Sequence, residues 1–218
     1  MKKLYLFLLT ATMSISTMAH NPLTDRSMFN FHWGFNNWGA GMFDGLSGMS
    51  DNAYSLRTSF SSYQLSYGMK WYVNNTITAA IGVGYESDVY KFDTPYVSYS
   101  ETLHSFYDMP STGKMKTKLC TRYITMPITL DLNIYDNFSI RLSAIPGLNY
   151  TGKHTGLKNK SDNGLDKMQI GDLNPYKLDA RVEFIYGGIG LFLQVSTLPL
   201  MKDSFAREMY PIKFGIVL

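Results

Sequence analysis

The sequence predicts an all-β fold, an eight-stranded antiparallel up-and-down transmembrane β-barrel behind an N-terminal signal peptide. Three observations predict it. Eight segments alternate with period two between bulky apolar and small or charged residues, the connections between them alternate between short and long, and the chain opens with an export signal. The 218 residues are 45% hydrophobic, 15% aromatic and 17% charged, which fits one domain with a large apolar surface that must leave water. Disorder throughout is excluded. The formal net charge is +3, and Lys2 and Lys3 supply two of those charges, so a strongly basic nucleic-acid binder is excluded as well.

The export signal comes first in the chain. Lys2 and Lys3 precede an apolar run over residues 4–9 and a weaker stretch that ends at the small-residue site Thr17-Met18-Ala19. This order predicts a signal peptide over 1–19, cleaved after Ala19, and a mature barrel domain over 20–218. The run is too short and too interrupted by Ser and Thr for a span of roughly 20 residues. Cys120, the single cysteine, lies far from the cleavage site, so it is neither a lipid-anchor cysteine nor half of an intramolecular disulfide. No later apolar run approaches helix-spanning length, and the mean hydropathy of −0.12 is that of an ordinary exported domain. Averages hide periodicity.

The first segment carries Phe29, Phe31, Trp33 and Phe35 on one face and Asn30, His32, Gly34 and Asn36 on the other. The second, 62–73, sets Tyr63, Leu65, Tyr67, Met69, Trp71 and Val73 against Gln64, Ser66, Gly68 and Lys70. The third, 77–86, sets Ile77, Ile81, Val83 and Tyr85 against Thr78, Gly82, Gly84 and Glu86. In the fourth, 123–132, Ile124, Met126, Ile128, Leu130 and Leu132 oppose Tyr123, Thr125, Pro127, Thr129 and Asp131; Pro127 cannot donate to a ladder and predicts a bulge. The fifth, 138–144, opposes Ile140 and Leu142 to Ser139, Arg141 and Ser143. The sixth, 176–186, places Tyr176, Leu178, Ala180, Val182, Phe184 and Tyr186 against Lys177, Asp179, Arg181 and Glu183. The seventh has Ile189, Leu191, Leu193 and Val195 against Gly190, Gln194 and Ser196, with Phe192 out of pattern. The eighth has Tyr210, Ile212, Phe214, Ile216 and Leu218 against Lys213 and Gly215.

Asn74-Asn75, residues 133–137 and Gly187-Gly188 make hairpin-sized turns, whereas 37–57, 92–118 and 152–173 are long and 201–207 is intermediate. That alternation puts short turns at the periplasm and long loops outside, with both termini periplasmic. A soluble lipocalin-like barrel has the same period with opposite sidedness: its charged face would be the outer surface. The apolar face carries Tyr, Trp and Phe on nearly every segment while the polar face is rich in Gly, Ser and Thr, which fits a narrow lumen and a wide lipid-facing perimeter.

The stretch Tyr123-Ile124-Thr125-Met126-Pro127-Ile128 resembles the Tyr-Leu-Glu-Ile-Pro-Leu strand of the PorT-like outer-membrane β-barrel proteins of Bacteroidota, and Trp33-Gly34-Phe35-Asn36 is similar to that family's first strand. The resemblance follows strand order over most of the mature chain. It implies a small outer-membrane barrel, and for some relatives a part in protein secretion with envelope partners. Thr125 stands where the family often has an acidic residue, so the lumen salt bridge implied at that position is missing here.

An eight-stranded barrel is about wide enough for its own side chains. The inward charges are Lys70, Arg141, Lys177, Arg181 and Lys213 against Glu86, Asp88, Asp131, Asp179 and Glu183, five of each sign. Balance predicts an internal ion-pair network and a plugged lumen, whereas a selective pore needs an excess of one sign. His32, His104 near Glu101 and Asp108, and His154 are the groups an outer-leaflet lipid enzyme or protease would use. None shows a demanding spacing, and the expectation is a non-catalytic protein without cofactor or metal. Tyr96, Tyr99, Phe106 and Tyr107 in the second long loop are candidate contact residues that equally suit a lid over the barrel mouth. Lys114, Lys116 and Lys118 in that loop, with Lys153, Lys158, Lys160 and Lys167 in the next, suit anionic lipopolysaccharide head groups beside the outer-membrane lipid. Tyr63, Tyr67, Trp71, Tyr150, Tyr186 and Tyr210 are candidates for interfacial girdles.

Overall fold

The computed structural model describes residues 26–39, 56–57, 59–110, 115–135, 137–150, 155–161 and 164–218. The predicted signal peptide, Lys114, Lys153 and His154 lie outside the described residues. The strands are β1 (Ser27–Gly39), β2 (Leu56–Arg57), β3 (Ser59–Tyr72), β4 (Ile77–Phe92), β5 (Val97–Ser100), β6 (Ser105–Asp108), β7 (Lys116–Thr125), β8 (Ile128–Tyr135), β9 (Phe138–Asn149), β10 (Gly156–Ser161), β11 (Gly164–Met168), β12 (Tyr176–Tyr186), β13 (Ile189–Ser196) and β14 (Tyr210–Val217). Eight antiparallel staves close on themselves in the order β1, β3, β4, β7 with β8, β9, β12, β13, β14, and back to β1. Closure leaves no open sheet edge around the barrel wall.

Side-chain polarity sets which face turns in. Along β12, Glu183 is 0% exposed and its neighbour Phe184 is 50% exposed. The same alternation runs along β3, where Gln64 and Ser66 are buried while Leu65 and Tyr67 are exposed. Charges thus meet one another inside, and the large apolar groups look outward. Trp71, Tyr72, Tyr135 and Tyr186 ring the end with the short turns, and Tyr63, Tyr85, Tyr150 and Tyr176 lie toward the other end. Nine residues separate Tyr63 from Tyr72. At about 3.3 Å per residue and a tilt of about 40°, that spans about 23 Å, close to the apolar band of a membrane barrel.

Pro127 does not make a bulge. Strand β4 pairs Gly84 with Thr125 and Ile81 with Ile128, and β9 pairs Gly147 with Thr125 and Ala144 with Ile128, so the register is continuous across the proline. The missing donor removes one rung only, because the Pro127 carbonyl still accepts from Gly82 N at 3.0 Å and Met126 N donates to Pro146 O at 2.9 Å. Register shifts lie elsewhere: between β1 and β3, where Gly34 opposes Ser62 and Phe35 opposes Phe60 with Ser61 as the extra residue, and between β8 and β9, where Asn133 opposes Ser139 and Tyr135 opposes Phe138.

Phe192, out of pattern in the sequence, turns into the lumen and is buried. Space for it comes from Gly34: a Cβ there would stand 3.0 Å from the Phe192 ring and 2.4 Å from Phe214 O. The β12–β13 hairpin turns through Gly187 and Gly188 at φ 58° and 88°, a left-handed pair that side-chain-bearing residues rarely adopt.

The strands run further at the long-loop end than the alternation predicts: β4 continues to Phe92, β7 begins at Lys116 and β9 reaches Asn149. The physical reason is an inversion of sidedness. Tyr90, Phe92 and Leu119 turn inward and are buried, while Lys91 and Lys118, opposite one another, turn outward. The third long loop is also more ordered than expected, because β10 and β11 form a hairpin that adds to the edge of β7.

Candidate functional site

Two features carry the chemistry of the molecule: a lattice of charged groups inside the barrel and an apolar cap above it. In the upper lumen, the Glu86 carboxylate receives both Lys177 and Lys213. Lys213 also reaches Asp88 at 2.7 Å, and Lys177 reaches Asp179 at 2.6 Å. Hydroxyls complete the carboxylates: Ser62 donates to Asp88 at 2.7 Å and Ser196 to Asp179 at 2.8 Å. The Lys177 ammonium lies 4.8 Å from the centre of the Tyr123 ring. In the lower lumen, Glu183 meets Arg181 at 2.8 Å, His32 at 2.9 Å and Arg141 at 3.1 Å. Arg141 clamps Asp131 with two nitrogens, at 2.5 and 3.1 Å, and donates to Asn30 at 2.8 Å. Gln64 and Gln194 join the layers, the first accepting from Arg181 and the second donating to Asp179.

Nine of the ten lumen residues singled out from the sequence meet in these pairs. Lys70 departs from the expectation. It faces inward by parity but lies near the short-turn end, over the Tyr72 ring at 5.5 Å, in a polar cleft it shares with Asp131 and Asn133. Distance along β3 is the reason: Gln64 is the residue that meets the ion pairs, through Arg181, and Lys70 lies further along the strand toward the short turns. Thr125 is buried and its hydroxyl accepts from Gln64 at 3.1 Å, so a neutral hydrogen bond occupies the position where the family resemblance implied a salt bridge. The cleft at Lys70 and Asp131 measures about 480 Å³, whereas the spaces among the ion pairs above it are small. One lined by His32, Gln64, Glu86, Phe192 and Lys213 and another lined by Asp88, Tyr90, Tyr123 and Lys177 each measure about 10 Å³, about the room for one water molecule.

Above the lattice sits the cap. Trp38, Tyr90, Phe92, Val97, Tyr99, Phe106, Leu119, Leu157, Ile170, Leu173, Met201, Phe205 and Met209 belong to one buried cluster drawn from strand ends and from the connections β4–β7, β9–β12 and β13–β14, with Leu56 of β2 packed against it. Trp38 stacks on Tyr90 at 4.9 Å, and Phe106 meets Phe92 at 5.4 Å and Phe205 at 5.1 Å. At two positions the structure takes the lid alternative. Tyr99 and Phe106 are buried in the cap because the β5–β6 hairpin folds its apolar face onto the barrel mouth. Tyr96 is half-buried, and Tyr107 is exposed.

The hairpin is fastened at its tip. His104, at φ 46°, holds the Asp172 carboxylate through Nδ1 at 2.8 Å, the Tyr99 hydroxyl donates to the same oxygen at 2.7 Å, and Ala206 N donates to the His104 carbonyl at 2.8 Å. Burial opposes ionisation of Asp172, but the hydrogen bonds from Tyr99 and His104 outweigh it and hold the carboxyl below its usual range. Burial and the adjacent carboxylate push the Tyr99 phenol up. His104 therefore works with Asp172, a partner 68 residues away, rather than with Glu101 or Asp108. His32 is 2% exposed inside the barrel, out of reach of any substrate. Among the described residues no group of three His, Cys, Asp or Glu side chains is placed to hold a metal ion. The sequence pointed to a lid only in the second long loop; the other cap residues come from separate stretches with no shared period.

No protein-family profile matches the chain, and no curated protein sequence matches it. Among solved structures it is similar to Ail, the attachment invasion locus protein of Yersinia pestis, at 9% identity over 88% of this chain and 98% of that one, with a TM-score of 0.36.

Proposed function

We propose that the chain is a small, non-catalytic outer-membrane β-barrel whose lumen is plugged by its own ion pairs and whose external loops form a cap that shields the barrel mouth and meets the cell surface. One observation carries the reading: fully buried charges and lipid-sized apolar groups alternate residue by residue around a closed wall. Val83, Leu191 and Phe184 are at least half exposed while Glu86, Arg181 and Glu183 are buried. A soluble protein seldom exposes contiguous apolar area on that scale, and water would not drive the charges inward. In hydrocarbon the same arrangement is the stable one. The small spaces of the lumen and the apolar cluster above it support closure rather than conduction.

Cell fractionation with heat-modifiable gel migration tests the reading. Outer-membrane protein that migrates faster unheated than boiled is the expected result. Soluble periplasmic protein with no shift overturns it. An esterase and peptidase screen of the vesicle-inserted protein, with His104→Ala beside it, tests the non-catalytic part. Turnover that disappears in that variant would overturn that part alone.

A further inference from the structure

Outward from the cap, five basic residues stand in one transverse row. Arg57 on β2 pairs with Lys91 on β4, Lys91 with Lys118 on β7, Lys118 with Lys158 on β10, and Lys158 with Lys167 on β11. Residues directly opposite in antiparallel strands project from the same face, so the five side chains share one surface. At about 4.8 Å per strand the row is about 19 Å long. Lys116 and Lys160, also paired, add a second rank on that face. All seven are exposed or half-exposed, whereas the opposite face buries Leu119 and Leu157 in the cap.

Like charges directly opposite one another destabilise a sheet. Here the repulsion is answered at one end only, where Arg57 lies 3.6 Å from Asp93. Among the described residues none of the six lysines forms an ion pair, and Asp166 on β11 pairs with Asn159 and so belongs to the other face. The surface is complementary to an extended anion.

Its height narrows the choice. On β4 the positions of the lipid-facing parity run Ile81, Val83, Tyr85, Ser87, Val89, Lys91, and on the neighbouring stave Leu130, Ile128, Met126, Ile124, Arg122, Cys120, Lys118, with Ser87 and Cys120 buried between the belt and the lysines. The row therefore faces the same direction as the lipid belt and begins six residues beyond Tyr85 and Ile124. That is about 15 Å higher at ordinary strand rise and tilt. Phospholipid head groups extend only about 6 Å past the hydrocarbon. A phosphorylated saccharide reaches the row.

From this arrangement we infer that the Arg57–Lys91–Lys118–Lys158–Lys167 row binds the phosphates of a saccharide head group carried by an outer-leaflet glycolipid. The inference rests on the outer-membrane reading and names the lipid partner of that same barrel.

The test refolds the protein into phosphatidylcholine vesicles alone, or doped with phosphatidylglycerol, intact lipopolysaccharide or phosphatase-treated lipopolysaccharide, followed by detergent extraction and assay of bound lipid. Intact lipopolysaccharide alone co-purifies, and the Lys91→Gln/Lys118→Gln/Lys158→Gln variant retains at least about ten-fold less, from the attraction lost with three cations. In plain phosphatidylcholine the variant unfolds at the same or higher urea concentration than the wild type, since repulsion has been relieved. Equal retention by the variant, indifference to phosphatase or equal retention of phosphatidylglycerol overturns the inference. A barrel that inserts with heat-modifiable migration in every vesicle but shows one of these outcomes leaves the outer-membrane reading standing. Failure to insert in any vesicle removes both.

Discussion

Glu183 has no exposed surface and answers three partners, the cations Arg181 and Arg141 and the imidazole of His32, on three different strands. Removing a buried charge strands its partners more severely than it removes an attraction, because no solvent replaces it. Glu183→Ala is expected to lower barrel stability by about 3–5 kcal/mol, read from urea unfolding of vesicle-inserted protein by tryptophan fluorescence. Glu183→Gln keeps an acceptor for Arg141 and loses less. Phe184→Ala next to it, which exchanges ring contacts with lipid for a smaller side chain, is the control and shifts the midpoint least. At this scale the sequence was informative where one residue decides the environment. Four charges alternating with apolar residues between 176 and 186 place Glu183 inside, but not against His32, 151 residues away.

The β5–β6 hairpin is an element whose stability is largely borrowed from its neighbours. It pairs only with itself, and its hold on the barrel comes from Tyr99 and Phe106 in the cap and from the Asp172 carboxylate gripped by Tyr99 and His104. Because Asp172 is held below the ordinary value of 3.8, its contribution is fully present above about pH 4 and is lost as the pH falls through its depressed value. Amide hydrogen exchange over residues 97–108 is therefore expected to stay slow from neutrality down to about pH 4 and to quicken below it, after correction for the intrinsic rate. Asp172→Asn, which cannot ionise, gives a faster exchange that is nearly independent of pH in that window. Equal protection in the two proteins at neutral pH would remove Asp172 from the fastening of the cap. The hairpin escaped the sequence reading because a four-residue strand with alternate buried aromatics looks like a loop until something covers it.

At the scale of the whole molecule the charge balance matters more than any one pair. Four strongly basic lumen side chains share five carboxylates across both layers, with spaces near the size of a single water among them above the open cleft at the short-turn end, so no continuous aqueous path is expected through the network. Planar-bilayer recordings of the purified barrel are expected to show no resolved conductance steps. Regular channel openings of uniform size would contradict the plugged lumen directly. The basic row belongs to this scale too, since it exists only because five strands distant in the chain come into register. Lys91 and Arg57 carry no signal of it in the sequence, where one lies at the end of a strand and the other beside a long loop.

The sequence by itself determined the number of staves, the direction each face points and the ends at which turns and loops lie, because alternation with period two is a property of consecutive residues and the solvent on each side selects the face. It also determined that the inward face carries charges of both signs in similar number. Tertiary structure decided which of those charges meet, that Lys70 stands apart from the others, that Pro127 passes without a bulge, and that apolar residues scattered over six stretches close into a cap. Each of these depends on register between strands and on contacts across the barrel, and register is fixed only when closure brings residues far apart in the chain to the same height.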